Sequence, residues 1–335
     1  MNPKIFVSIG IVARNEEKYI GETINSLQKL NYPKKNYEII VVDGNSTDRT
    51  FEIAKNLSKK SKIKIKVLKE SDFKGKGLCF ARNLVVKQSS KKAKYIAFTD
   101  ADCKVDKNWL KILVEKLENN KDPKIAGIGG PRYPHPKDEG IAKAINLYLS
   151  SFFGSGGSPA FVPKNIKYAN SIPNYNALYR KDILQKFPYD EKLIISDDSE
   201  LNFRLRKLGY KFLYTKEAKI YHHEDDSIKA FAKKMFNYGI NICKVMKKHK
   251  TIPRIYALLP FLLITLLLGL PFSLFIPFLL YFYIGIFLVY FTLIFFNALT
   301  ICLKEKNFLG LYSFILMPIQ HFNYALGILY ELVRR

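Results

Sequence analysis

Tyr95-Ile96-Ala97-Phe98-Thr99-Asp100-Ala101-Asp102 is the stretch on which the reading of this chain turns. Residues 95–99 suit a pleated, buried strand, and they run straight into two carboxylates separated by one alanine. Open α/β sheets bind their ligands beyond the carboxyl ends of their strands, where Asp100 would stand. Two carboxylates leaving a strand into a turn can both reach a hard divalent cation. Mg²⁺ and Mn²⁺ take such oxygen ligands and bridge to phosphates. Alone, the pattern is also that of an ordinary capped turn.

Working outward, the same alternation recurs. Residues 4–12 are apolar and β-branched, and residues 16–30 place Ile20, Ile24 and Leu27 at helical spacing. Residues 37–42 form a second strand-like run ending at Asp43-Gly44, followed by a helical pattern over 47–57. A third strand over 63–68, a helix over 77–88, the strand over 95–99 and a helix over 109–117 complete the series. Short apolar runs between amphipathic helices predict an α/β fold with a mostly parallel sheet covered on both faces. Asp43, at a strand end like Asp100, is read as a ligand contact. Asp48 is read as a helix-capping residue.

Residues 131–225 are less regular. The run from Gly154 to Pro159 predicts a flexible loop. A strand over 176–179, a helix over 198–208 stopped by Gly209, and short strands over 212–214 and 219–221 follow.

The 335 residues include 54 basic and 29 acidic ones, a formal net charge of +25. After position 254 the charged residues are Lys304, Glu305, Lys306, Glu331, Arg334 and Arg335 alone. A basic body beside an apolar tail predicts attraction to anionic headgroups and phosphate-bearing ligands. Nucleic acid is set aside, since no helix-turn-helix, zinc-finger or RNP pattern accompanies the lysines. Cys79, Cys103, Cys243 and Cys302 form no C-x-x-C pair. Neither a disulfide framework nor a zinc site is expected, and a reducing compartment fits. The start of the chain lacks the apolar core and cleavage site of a signal peptide.

Residues 226–252 read as a basic amphipathic helix, with Ile228, Phe231, Met235 and Ile242 set among lysines. It is read as lying in a membrane interface, with a surface helix docked on the domain as the alternative. Residues 253–332 are read as a transmembrane region of three helices. No charge falls between 255 and 301, enough for two spans of about 20 residues. The third segment, over 308–332, contains Gln320, His321 and Asn323 and fits either a span or an interfacial helix. Lys247, Lys248, Lys250 and Arg254 put the preceding domain in the cytoplasm by the positive-inside rule. The Lys304/Lys306 loop agrees with three spans and the Arg334-Arg335 end disagrees.

Further runs carry a resemblance. Ile11-Val12-Ala13-Arg14-Asn15-Glu16-Glu17, Val41-Val42-Asp43-Gly44-Asn45-Ser46-Thr47-Asp48, Gly75-Lys76-Gly77 with Ala81-Arg82-Asn83, and Asp100-Ala101-Asp102 occur in that order. With Ser196-Asp197-Asp198-Ser199-Glu200-Leu201-Asn202-Phe203-Arg204, they resemble the family 2 glycosyltransferases of the GT-A fold over about residues 4–240. Phe153-Gly154-Ser155-Gly156-Gly157-Ser158, Phe236-Asn237-Tyr238-Gly239 and the apolar tail are similar to the succinoglycan-type glucosyltransferases of that family.

The resemblance implies a GT-A catalytic domain over 1–225. Ala13, Asn15, Glu16 and Asp43 would line the nucleoside pocket. Lys76, Gly77 and Arg82 would lie near the ribose and diphosphate. Asp100 would face ribose and metal, Asp102 would bind Mg²⁺ or Mn²⁺ directly, and Asp198 would be the catalytic base of an inverting displacement. Three departures accompany it. The Q-x-x-R-W motif of processive members is absent, with Lys234-Met235-Phe236-Asn237-Tyr238 near its place. Asp197 replaces the usual glutamate. His222-His223 follows the last short strand, where an imidazole completes the metal shell in some GT-A enzymes. His222 is assigned that role, against the alternative of a surface histidine near Glu224, Asp225 and Asp226.

The resulting expectation is a multi-pass protein of the cell membrane with its catalytic domain cytoplasmic. It would move a sugar from a nucleoside-diphosphate donor to a lipid-linked saccharide acceptor. A polyisoprenyl-phosphate sugar synthase and a non-catalytic nucleotide-sugar-binding scaffold are the alternatives.

Overall fold

The computed structural model describes residues 5–193, 197–251, 264, 268–273 and 275–334. The chain forms two compact units, one of residues 1–135 with 159–223, the other of residues 136–158 with 224–335.

In the first unit the chain runs β1 (Phe6–Ala13), α1 (Ile20–Gln28), β2 (Tyr37–Asp43), α2 (Thr50–Lys60), β3 (Ile65–Lys69), α3 (Leu78–Gln88) and β4 (Ala93–Asp100). It continues through β5 (Cys103–Val105), α4 (Trp109–Glu118), β6 (Ile125–Gly129) and β7 (Arg132–Pro134). It leaves for α5 (Gly140–Leu149) and α6 (Phe152–Ser155) of the second unit. It returns as β8 (Tyr168–Ala169), β9 (Ala177–Arg180), α7 (Lys181–Lys186), α8 (Asp197–Lys207), β10 (Lys211–Tyr214) and β11 (Ile220–His222).

Eight strands form one sheet in the order β3-β2-β1-β4-β9-β6-β10-β8, and β5-β11-β7 form a second, smaller sheet. β1 pairs in parallel with both β2 and β4, while β9 is antiparallel to β4 and β6. The period of two along β2 explains its unbroken apolar run. Ile39 and Val41 enter one core with Ile20, Ile24 and Leu27 of α1 and Leu110 and Leu113 of α4. Ile40 and Val42 enter the other with Leu84 and Val85 of α3 and Leu201 and Leu205 of α8. Each such side chain contributes about 1.5–3 kcal/mol when fully buried. Both faces are therefore covered, as the sequence predicts.

The expected elements recur with shifted ends, most visibly the helix expected over 47–57, which is Thr50–Lys60. β5 through β8 and α7 were not expected. Part of the run expected as a flexible loop is the end of α6, whose first turn is capped by the Ser151 hydroxyl accepting from the Gly154 amide.

The second unit also contains α9 (Ile228–His249), α10 (Pro277–Glu305) and α11 (Ser313–Val333). Among the described residues, Phe278–Glu305 is the one helix long and apolar enough to cross a membrane by length and composition. The expected three spans are corrected accordingly. The first, from residue 255 to about 275, lies mostly outside the described residues. The third is α11, which packs lengthwise against α9. Two of its polar residues have partners within the unit: Gln320 Nε2 donates to the Gly154 carbonyl of α6 at 3.1 Å, and His321 Nδ1 meets the Tyr290 hydroxyl of α10 at 3.1 Å. The helix expected in the interface is thus half of a helix pair.

That pair closes at two glycines. A Cβ on Gly239 would lie 2.0 Å from the Tyr324 carbonyl oxygen, and one on Gly327 would lie 2.0 Å from that of Phe236. Small residues let helix backbones approach this closely. Gly327→Leu is expected to force the helices apart at a cost of about 1–3 kcal/mol or more. A clear drop in melting temperature in detergent checks this, and an unchanged melt would refute the close crossing.

Candidate active site

Parallel pairing sets three strand ends side by side. Ala13 is in register with Asp43, and Val12 with Asp100. Because β3 and β4 lie on opposite sides of β1, the chain reverses its winding there, and a crevice opens at such a switch point.

Asp100 is the last residue of β4, and Asp102 directly precedes β5. The turn between them is held from below by α1, whose buried Thr23 hydroxyl donates to the Ala101 carbonyl at 2.6 Å. On the strand side, the His223 amide donates to the Asp102 carbonyl at 3.1 Å. β11 pairs His222 with Cys103 and so brings its imidazole to the turn. Its Nε2 lies 3.5 Å from Asp102 Oδ1 and 4.0 Å from Asp100 Oδ2. His222 Nδ1 contacts the His223 carbonyl oxygen, which can only accept, so Nδ1 carries the proton. Nε2 is then left to act as a ligand. Two carboxylates and one oriented imidazole are a fitting donor set for Mg²⁺ or Mn²⁺. The Cys103 sulfur also lies within this cluster. Burial, then the Asp102 and Asp100 carboxylates, push its thiol well above its ordinary value, so it stands as a neutral wall.

Arg82 braces the same turn. It is buried on α3, donates from Nη2 to Asp100 Oδ1 at 2.7 Å, and packs its guanidinium 4.8 Å from the centre of the Phe98 ring. This one contact fixes which way the Asp100 carboxylate faces.

Asp43 is buried and accepts from the Ser46 amide through Oδ2 at 3.1 Å. Its Oδ1 is buried without a hydrogen-bond partner among the described residues. A buried carboxylate oxygen left in this state is costly unless a ligand donor supplies the bond. Asn15 takes the left-handed conformation at φ 57° and joins the loops after β1 and β2. Its Oδ1 accepts from the Thr47 amide at 2.9 Å, and its own amide donates to the Ser46 hydroxyl at 2.9 Å. The Glu16 amide donates to Thr50 Oγ1 at 2.7 Å. Asp48 accepts from the Thr50 amide at 3.0 Å and from the Glu17 amide at 3.1 Å, but the N-cap position of α2 is Arg49, so Asp48 ties the start of that helix to the loop after β1 and does not take the capping position expected of it. Gly77, at φ 98°, turns the chain into α3, and Lys76 beside it is exposed.

Asp198 stands in the first turn of α8. Its Oδ2 accepts from the Asn174 amide at 3.3 Å, and its Oδ1 from the Ser199 hydroxyl at 3.2 Å. Antiparallel pairing puts Ala177 opposite Phe98, so the turn at Asn174 lies beyond the same carboxyl end of β4 as Asp100. His222 is buried, which differs from the alternative of a surface histidine near Glu224, Asp225 and Asp226.

Sequence reasoning missed Thr23 and Glu70. Glu70 is buried, and its carboxylate accepts from the Gly77 amide at 3.2 Å. Burial pushes its carboxyl up against that hydrogen bond. Both residues sit in unremarked polar positions, and nothing local in the sequence distinguishes them.

Comparisons with known proteins agree with this geometry. The model described as Glycosyl transferase family 2 matches residues 8–187. The chain is 30% identical over 238 residues to a dolichyl N-acetyl-alpha-D-glucosaminyl phosphate 3-beta-D-2,3-diacetamido-2,3-dideoxy-beta-D-glucuronosyltransferase of Methanococcus voltae, covering 70% of this chain and 72% of that one. It is 26% identical over 261 residues to the glycosyltransferase AglE of Haloferax volcanii, covering 77% and 80%. Among solved structures, a mannosyltransferase of Pyrobaculum calidifontis in complex with GDP-Man and Mn²⁺ superposes with a TM-score of 0.55 at 16% identity, covering 75% of this chain and 67% of that one. The fold of the first unit is the GT-A fold.

Replacing Arg82 with Met keeps much of the volume and removes a charge-assisted hydrogen bond, a loss of about 1.5–3 kcal/mol. Urea denaturation of the detergent-solubilised chain should show a lower midpoint, and an unshifted one would mean the pair adds no stability.

Proposed function

The chain belongs to glycosyl transferase family 2 and is a glycosyltransferase, and on that premise we propose that it transfers a sugar from a nucleoside-diphosphate donor to a lipid-linked saccharide acceptor, with inversion. The observation that carries this reading is the convergence of Asp100, Asp102 and His222 at the end of β4, across β1 and within one residue of register from the end of β2, where Asp43 keeps a buried oxygen with no hydrogen-bond partner among the described residues.

Asp43 would accept a hydrogen bond from the base or ribose, in a pocket completed by Ala13, Asn15 and Glu16. Lys76 and Gly77 would meet the diphosphate, with Arg82 acting through Asp100. Asp100, Asp102 and His222 would hold Mg²⁺ or Mn²⁺, which when bound neutralises charge on the departing diphosphate. Asp198 would take the proton from the acceptor hydroxyl as that oxygen attacks the anomeric carbon in a single displacement. The Asn174 amide holds this carboxylate in place for the transfer.

The acceptor class rests on two supports. One is α10, a 29-residue helix about 43 Å long, more than the roughly 30 Å of a bilayer core. The other is the relative named for a dolichyl N-acetyl-alpha-D-glucosaminyl phosphate. The functional division we propose is a catalytic domain over 1–225, a basic helix over 226–252 and a tail over 253–332 whose membrane contact is carried by α10. Lys247, Lys248, Lys250 and Arg254 favour the cytoplasmic side for the catalytic domain. The likeness to succinoglycan-type enzymes belongs to the same proposal.

Asp198→Asn is expected to lower kcat by about 100- to 10,000-fold while donor binding survives. A chelator should abolish transfer, and Mn²⁺ or Mg²⁺ should restore it. A panel of nucleotide sugars incubated with membrane lipid extract, followed by mass analysis of the lipid product, measures both. Full activity of Asp198→Asn on a saccharide acceptor would sink the assignment of the base. Transfer to a polyisoprenyl phosphate alone would replace the acceptor class.

A further inference from the structure

The first unit holds a second cluster of metal-ligating side chains, with donors separate from those of the carboxylate turn. Glu22 on α1, His135 just after β7 and His223 just after β11 bring their ligand atoms within 4.8 Å of one another. His222 and His223 are consecutive, so the alternation of an extended strand sends them to opposite sides. One goes to Asp100 and Asp102, the other to Glu22 and His135.

We propose that Glu22, His135 and His223 form a binding site for a zinc-type divalent ion. His135 Nε2 lies 3.9 Å from Glu22 Oε1, and His223 Nε2 lies 3.9 Å from Glu22 Oε2. Each nitrogen thus faces a different oxygen of one carboxylate. Zinc binds nitrogen and oxygen at about 2.0–2.2 Å in a tetrahedron, which sets its ligand atoms about 3.3–3.6 Å apart, so both 3.9 Å separations would have to close by a few tenths of an ångström around the ion. The two imidazoles stack at 3.6 Å between ring centres, and Tyr19 stacks on the outer face of His223 at 4.2 Å. Both histidines are buried, and Glu22 is half-buried. Lys104 lies 3.9 Å from Glu22 Oε1 and competes for it, but its side chain is half-exposed and can turn into water.

Two imidazole nitrogens with one carboxylate are a zinc-type donor set. Mg²⁺ prefers oxygen and would bind poorly. The bound ion would join a helix and two strand ends that are far apart in sequence. One of those ends carries His222, so the ion would fix the position of β11 against α1. It would act on the fold, and it requires no glycosyl transfer. The proposal departs from the expectation of no zinc site, which rested on the absence of C-x-x-C pairs; the ligands here are two histidines and a glutamate, and no cysteine takes part.

The test uses the full chain in detergent, stripped by a chelator and then titrated with Zn²⁺, Co²⁺ or Mg²⁺. Asp102→Asn serves as the background, to weaken the other site. One equivalent of Zn²⁺ should bind, the melting temperature should rise with Zn²⁺ and not with Mg²⁺, and Co²⁺ should give visible ligand-field bands. Glu22→Gln and His135→Gln should each lose that equivalent and the bands. Should His135→Gln fail to fold, Glu22→Gln, on a partly exposed helix position, decides alone. Absence of Zn²⁺ binding, or an equivalent retained in Glu22→Gln, overturns the proposal.

Discussion

The structure depends on β1 being hydrogen-bonded in parallel on both sides. That double pairing fixes the register of β2 and β4, and the register fixes which residues emerge at the crevice. It also demands tight packing over the strand. A Cβ on Gly10 would come within 2.5 Å of Val85 Cγ1 and 2.8 Å of Phe98 Cε1. α3 therefore lies close against the centre of the sheet, and this closeness delivers Arg82 to Asp100. Chemistry at the end of β4 follows from sterics two residues back, where Gly10 pairs with Phe98.

Charge at the site is organised from inside the protein. A guanidinium remains charged wherever it is placed, and Arg82 is almost wholly withdrawn from water. Asp100 supplies its counter-charge and is thereby oriented. His222 is oriented in turn by a backbone carbonyl. Asp43 differs, because half of its carboxylate is satisfied by the Ser46 amide and half is not. The first three groups are positioned by the fold, while Asp43 keeps one oxygen without a hydrogen-bond partner among the described residues.

Much of this was legible in the sequence, for identifiable reasons. β1, β2 and the body of β4 are nearly continuous apolar runs buried on both faces, which leave a strong local signal, while the half-buried edge strand β3 leaves a weaker one. Asp43 and Asp100 were found because strand ends follow once the strands are known. His222 was marked by resemblance, and its geometry could not be read, because β11 is three residues long and shows no period. The cluster of Glu22, His135 and His223 joins three distant segments, and Glu22 looks like any helix-surface glutamate. In the tail, composition registered apolar length but not partnership. Gln320 and His321 of α11 have partners within their own unit, and that segment is a packed helix where hydropathy suggested a span.

β11 also sets a limit on how this chain can change in length. Its two consecutive histidines face opposite ways only while the pairing of Ile220 with Val105 and of His222 with Cys103 holds. Moving the strand by one residue would turn every side chain to the other face. A single-residue insertion or deletion within Ile220–His222 would therefore exchange the surroundings of both imidazoles at once. Substitution along this segment is constrained position by position, but its spacing is constrained as a whole. Natural variants of this protein should differ there in composition and not in length.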